Sequence, residues 1–174
     1  MYSVFTQILI LSSVLLLNLC SPSHAHAGTP ETSTGTFILK GVLFENSKHL
    51  RNTEVDILEN GRLIETIALN GSHLTLKLDL NKVYKVRFRK QGHLSKTIEV
   101  NTHVDSDANP GDAKFKYNFE MDLPTMNHPV MNSFQAEYLK PYVTITYNQK
   151  RKVFDFEIDR ELAKWFRSVR QAKS

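Results

Sequence analysis

The sequence predicts a mostly β chain: a seven-stranded antiparallel Greek-key sandwich, extended by a C-terminal hairpin and one C-terminal helix. Three observations carry this expectation. Apolar and polar residues alternate with period two through most of the chain, as half-buried strands require. Turn residues interrupt the alternation at intervals of about 8–12 residues. No helical pattern separates the strands, which argues against a βαβ arrangement. Most strands have one apolar and one polar face, as two packed sheets demand.

Phe37 to Phe44 is the first strand. Thr53 to Glu59 is the second, with Val55 and Ile57 on one face. Asn60-Gly61 is a tight-turn signal, since both residues tolerate positive φ, and Arg62 to Leu69 returns as the third strand. Asn70-Gly71 repeats the turn signal. Leu74, Leu76, Leu78 and Leu80 alternate with polar residues, then Tyr84, Val86 and Phe88 alternate with Lys85, Arg87 and Arg89. Gly92 turns the chain into Leu94 to Val100, and Phe115, Tyr117, Phe119, Met121 and Leu123 close the set. The expected core contains Leu76, Leu78, Val86, Phe88, Ile98, Phe115, Tyr117 and Phe119.

Beyond Pro124 the pattern changes. Pro124 to Pro141 has no periodicity and reads as a surface loop. Val143, Ile145 and Tyr147, then Phe154, Phe156 and Ile158, flank Asn148 to Lys152 as an extra hairpin. Asp159 is placed to cap a helix. Leu162, Trp165, Phe166 and Val169 then form one apolar stripe, expected to dock through Trp165 while Arg and Lys cover the other faces.

The first 27 residues carry no charged side chain and read as a signal peptide. Ile8 to Leu19 is too short an apolar run to span a bilayer, which takes about 20 residues. Ala25-His26-Ala27 supplies the small residues a signal peptidase needs, so cleavage is expected before Gly28. Lipidation at Cys20 is the competing expectation, although Leu19 precedes it where such signals carry a small residue. The expected organisation is therefore a signal peptide over 1–27 and a polar linker over 28–35. The sandwich occupies 36–123, with a loop, hairpin and helix over 124–174 packed on it. The mature chain would have no transmembrane segment, and its place is the periplasm or the cell surface.

Composition excludes some chemistry. Cys20 is the only cysteine, so the mature part has no disulfide and no thiolate site. The net charge of +4 is scattered, without the dense basic patch of a nucleic-acid reader. Asp105 to Asp112 alternates oxygen-bearing side chains as calcium loops do. Its glycine falls one place late and no bidentate Glu follows, so a solvated turn-rich loop is the plainer reading. His49, His73, His93, His103 and His128 lie on separate segments without zinc-site spacing. Ser72-His73 lacks a nucleophile elbow and an evident acid. No catalytic, cofactor or metal residues are therefore assigned. The candidate site is a basic stripe of Lys85, Arg87, Arg89 and Lys96, joined by Lys77, for an anionic glycan or an acidic envelope protein.

The runs Val55-Asp56-Ile57-Leu58-Glu59-Asn60-Gly61, Tyr84-Lys85-Val86-Arg87-Phe88-Arg89-Lys90-Gln91-Gly92-His93 and Lys96-Thr97-Ile98-Glu99-Val100 resemble the carboxypeptidase-regulatory-like (prealbumin-like) β-sandwich domain. The chain is most similar to envelope proteins of Bacteroidota, over about residues 36–170. It departs at His93, where that family carries an aromatic, and at Gly71-Ser72-His73-Leu74. The resemblance implies a non-catalytic binding or structural module of the bacterial cell envelope. A small envelope-acting enzyme and a lipid-anchored accessory subunit of a secretion or uptake complex are the alternatives. Partner, ligand and oligomeric state are not encoded in any motif.

Overall fold

The computed structural model describes residues 35–105, 113–125 and 140–171. The expected leader and its cleavage site, Ser106 to Asp112 of the calcium-like loop, and His128 lie outside the described residues. Among the described residues the elements are β1 (Thr36–Glu45), β2 (Lys48–His49), β3 (Thr53–Glu59), β4 (Arg62–Leu69), β5 (His73–Asp79), β6 (Val83–Arg89) and β7 (Lys96–Asn101). They continue with β8 (Lys114–Asp122), β9 (Val143–Asn148), β10 (Val153–Ile158) and one helix, α1 (Arg160–Gln171). None is a helix long and apolar enough to cross a membrane.

The strands form two sheets. The larger has the order β10-β9-β7-β6-β3-β4, and the smaller joins β1 to β2, β5 and β8. Leucines and aromatics on the inward phase of each fill the space between them. Phe37, Leu39, Leu74, Leu76 and Leu78 of the smaller sheet meet Val55, Val86, Phe88, Ile98 and Ile145 of the larger. Each is at most 4% exposed, so the alternation that predicts the core from the leucine ladder is the alternation that builds it. Phe88 touches Phe119 across the layers at 5.7 Å between ring centres. Phe119 can approach because its cross-strand neighbour is Gly41. A Cβ on Gly41 would lie 2.1 Å from that ring.

The connections depart from an all-antiparallel sandwich in two places. β8 runs parallel to β1, and β9 runs parallel to β7. The chain thus leaves one sheet and re-enters beside a distant strand, which alternation along a strand does not report. The C-terminal hairpin β9–β10 continues the larger sheet through β7. Asn60 and Gly61 have positive φ (49° and 83°) and close the β3–β4 hairpin, as Asn-Gly requires. Asn70-Gly71 has no such backbone. It joins β4 to β5, which belong to different sheets, so it is a crossover and not a hairpin turn. The short strand β2, absent from the sequence reading, closes on β1 through Asn46 and Ser47, both with positive φ. Its Asn-Ser pair lacks the glycine that would have announced it.

The expected core also needs correction on β8. Phe115, Tyr117 and Phe119 hold the inward phase but are only half-buried, whereas Met121 is buried. They sit on the outermost strand of the smaller sheet, where one flank of every side chain has no neighbouring strand among the described residues.

The helix is anchored as its first residues predict. Asp159 Oδ1 accepts the Leu162 N–H at 2.9 Å, satisfying one of the free amides of the first turn. Leu162 and Phe166 are buried against Leu94, with Tyr142 packed edge-on to Phe166. Trp165 is half-buried beside them, so Phe166 rather than Trp165 is the principal anchor. The side chain of Val169 lies outside the described residues.

Candidate functional site

The predicted basic stripe divides when its strands are placed. Lys85, Arg87 and Arg89 alternate outward from β6, as expected. Their cross-strand neighbours, however, are acidic. Asp56 on β3 stands opposite Arg87 and Glu99 on β7 opposite Lys85. Arg87 Nη2 donates to Asp56 Oδ2 at 2.7 Å, and Arg89 Nε donates to the same oxygen at 2.6 Å. Arg89 Nη2 donates to Asp56 Oδ1 at 2.9 Å, and Thr66 Oγ1 joins it there at 2.9 Å. The carboxylate is 1% exposed beneath this cover. The Arg89 hydrogen bonds, then those of Arg87 and Thr66, outweigh its burial and hold the Asp56 carboxyl far below the usual carboxylate range. Arg89 also meets Glu54 at 3.0 Å, and Lys85 lies 3.6 Å from Glu99. This face is a self-neutralised network rather than an anion cradle.

Lys96 does not belong to it. It pairs in register with Phe88 and therefore points inward. It is 5% exposed, with Nζ 4.3 Å from the centre of the Tyr142 ring and 4.4 Å from that of Phe166. Its charge rests on two aromatic faces and ties the helix to the end of the larger sheet. Lys77 lies on the other sheet altogether, on β5.

Exposed lysine charge gathers instead on the outer face of the smaller sheet. Ile38 on β1 has Lys77 of β5 on one side and Lys116 of β8 on the other. Lys40 and Lys114 lie two residues away along their strands, so four exposed lysines surround one isoleucine. Among the described residues none of the four has an ion pair. The acids of β8 on this face, Glu120 and Asp122, lie at the opposite end of that strand, and Asp79, across Thr36 from Lys114, is paired with Lys82.

Two histidines that the sequence separates come together here. Ser72 Oγ lies 3.0 Å from His49 Nδ1 and 3.1 Å from His73 Nδ1, and the rings stack at 5.6 Å. One hydroxyl proton serves only one ring, so in the neutral cluster the other ring donates its own proton to Ser72. Among the described residues no carboxylate hydrogen bonds to either ring. His93 is buried, 3.0 Å from the Gln91 carbonyl, with Nε2 3.1 Å from Glu45 but outside hydrogen-bond geometry. His103 hydrogen bonds locally to Asn101. Asp105, the first residue of the calcium-like loop, accepts from Gln149 at 2.8 Å.

The remaining feature is the side of the sandwich where β8 and β10 are the outermost strands. Beneath β8, the inward-phase residues Phe156 and Ile158 of β10 are 57% and 39% exposed. Phe156 touches Tyr117 at 6.0 Å, and a cleft of about 330 Å³ opens between the layers, lined by Tyr117, Phe119, Ile145, Phe156 and Ile158. Apolar side chains that face inward yet remain exposed mark a sandwich whose upper layer stops one strand short. Among the described residues the outer side of β8 has no partner strand. Along its nine residues, alternate backbone donors and acceptors face outward beside this aromatic cleft, the others bonding β1.

No family model matches the chain, and no curated protein matches it. Among solved structures it is similar to a putative membrane-associated protein of unknown function from Bacteroides fragilis. That likeness has 9% identity and a TM-score of 0.36, over 54% of this chain and 29% of that one. It is also similar to S.CueP, at 13% identity and a TM-score of 0.35, over 52% of this chain and 64% of that one. The chain spans less than two-thirds of the length of either.

Proposed function

We propose that the chain is a non-catalytic binding or structural module of the bacterial cell envelope, exported and released from its first 27 residues. Its binding element is the outer edge of β8. The observation that carries this reading is a strand edge without a partner strand among the described residues, with inward-phase Phe156 and Ile158 left exposed beneath it. A further extended segment on β8 would satisfy the edge and cover the aromatic cleft in one step. That is recognition by strand addition, in which backbone bonds give affinity and alternate side chains give selectivity. The resemblance to prealbumin-like, Greek-key envelope domains belongs to the same reading.

Photo-crosslinking tests it. A photoreactive residue in place of Asn118, on the outer face of β8, is expected to yield discrete adducts in the native host. The same residue in place of Glu99, outward on the inner strand β7 of the larger sheet, yields none. Equal labelling from both positions, or none from position 118, would remove the assignment.

The lysine group favours a second reading, in which the outer face of the smaller sheet holds an anionic glycan. Retention on a heparin column should then fall steeply with salt and drop in a Lys40→Ala/Lys77→Ala variant. Unchanged retention in that variant would exclude it.

A further inference from the structure

We infer that the strand received by β8 is β8 of a second copy of this chain, paired antiparallel about a two-fold axis at Asn118. This rests on the strand-addition reading and names its partner. The outer face of β8 reads Lys114, Lys116, Asn118, Glu120, Asp122: two cations, a neutral amide, two anions. A strand with that order is complementary to itself when reversed. Centred on Asn118, Lys116 faces the second copy's Glu120, and Lys114 faces its Asp122. Because the arrangement is symmetric, each of these attractions occurs twice. Asp122 also accepts the Asn46 N–H at 3.0 Å, which fixes its carboxylate at the end of the strand.

The inward face agrees. The same register sets Tyr117 opposite the second copy's Phe119 and Phe115 opposite its Met121. These are aromatic–aromatic and sulfur–aromatic pairs of the kind that stabilise neighbouring strands. Only residues of equal phase can face each other, so the neighbouring registers are centred on Tyr117 or Phe119. Each of those sets only one kind of opposite-charge pair across the seam and shortens the overlap. The Asn118 register uses all nine residues and both kinds.

Within one copy, Lys116 and Glu120 are four strand residues apart, roughly 13 Å along the backbone, too far to neutralise each other. A second copy brings them side by side. Its β8 also extends the smaller sheet over the exposed side chains of Phe156 and Ile158.

Sedimentation velocity on the purified protein, with charge reversal, tests the pairing. The wild type is expected to self-associate to twice the chain mass. Lys116→Glu and Glu120→Lys each place like charges opposite one another twice, and should weaken the dimer about tenfold or more. The double variant Lys116→Glu/Glu120→Lys restores opposite charges and should recover association. Circular dichroism confirms that each variant is folded.

The register is read separately in a Cys20→Ser background. Asn118→Cys should oxidise to a covalent dimer, because facing Cα atoms lie within disulfide reach. Lys116→Cys should crosslink with Glu120→Cys but not with itself. A wild type that stays monomeric at concentrations of several hundred micromolar, or single reversals without effect, would overturn the self-pairing. Amide exchange then separates the two readings. A monomer with freely exchanging β8 edge amides leaves addition by another protein standing, whereas a monomer with those amides protected removes both.

Discussion

The two outer faces of this sandwich carry comparable basic side chains and use them in opposite ways. On the larger sheet, Arg87 and Arg89 converge on Asp56, and Lys85 reaches Glu99. On the smaller sheet, Lys40, Lys77, Lys114 and Lys116 stand around Ile38, and the acids of β8 sit at its other end. The difference lies in what each cation meets on the next strand. β6 is an inner strand with an acidic neighbour on each side, so its charge is consumed within the fold. β8 is an outer strand, and its Lys114 and Lys116 stand opposite Thr36 and Ile38 of β1 rather than opposite acids. A row of basic residues thus signals a binding face only when register leaves it unanswered.

The contrast between inner and outer strands should be largest in the core. Phe88→Ala, at a fully buried site on β6, is expected to cost about 3–5 kcal/mol in denaturant unfolding. Phe119→Ala, on half-buried β8, should cost about half as much. Equal losses would mean that β8 is as enclosed as β6.

The Asp56 network gives the next effect. Asp56→Asn should cost about 2 kcal/mol at neutral pH, allowing for the solvent that screens both guanidiniums. The folded carboxyl is held far below its unfolded value, chiefly by Arg89. Its contribution is therefore complete above the unfolded value, near about pH 4, and is lost as pH falls towards the folded value. The wild type's advantage over Asp56→Asn should be flat between about pH 5 and 8 and shrink in acid. An advantage that grows on acidification would contradict the network.

Smallest of all, Lys77→Ala should change stability by less than about 0.5 kcal/mol, because its charge has no partner among the described residues to lose. A larger loss by thermal melting would show that Lys77 is held within the fold.

Much of the fold is legible in the sequence, and the failures have identifiable causes. Thr53–Glu59 and Arg62–Leu69 are found with their ends in place, because alternation and Asn60-Gly61 are both local. The parallel joins of β8 to β1 and β9 to β7 are not, since they depend on which strands meet across the molecule. Lys96 could have been placed correctly. It alternates with Leu94, Ile98 and Val100, all inward, and that phase outweighs its charge once Tyr142 and Phe166 supply aromatic faces. Asp56 could not, because its strand shows only an outward acid and the two arginines lie about thirty residues away. The same limit hides the meeting of His49, Ser72 and His73. The self-complementary order of β8 is written in the chain, but it acquires meaning only when the structure shows that strand at an edge.

Residue-resolved amide exchange across β6 and β8, followed as protein concentration is raised, tests the central claim most directly. At high dilution β6 amides should exchange slowly throughout, while alternate amides of β8 exchange fast from the open edge. At concentrations where the chain associates, those same β8 amides should slow and β6 should not change. Protection of every β8 amide at all concentrations would show the edge already paired within one chain, and the binding element would have to be sought elsewhere.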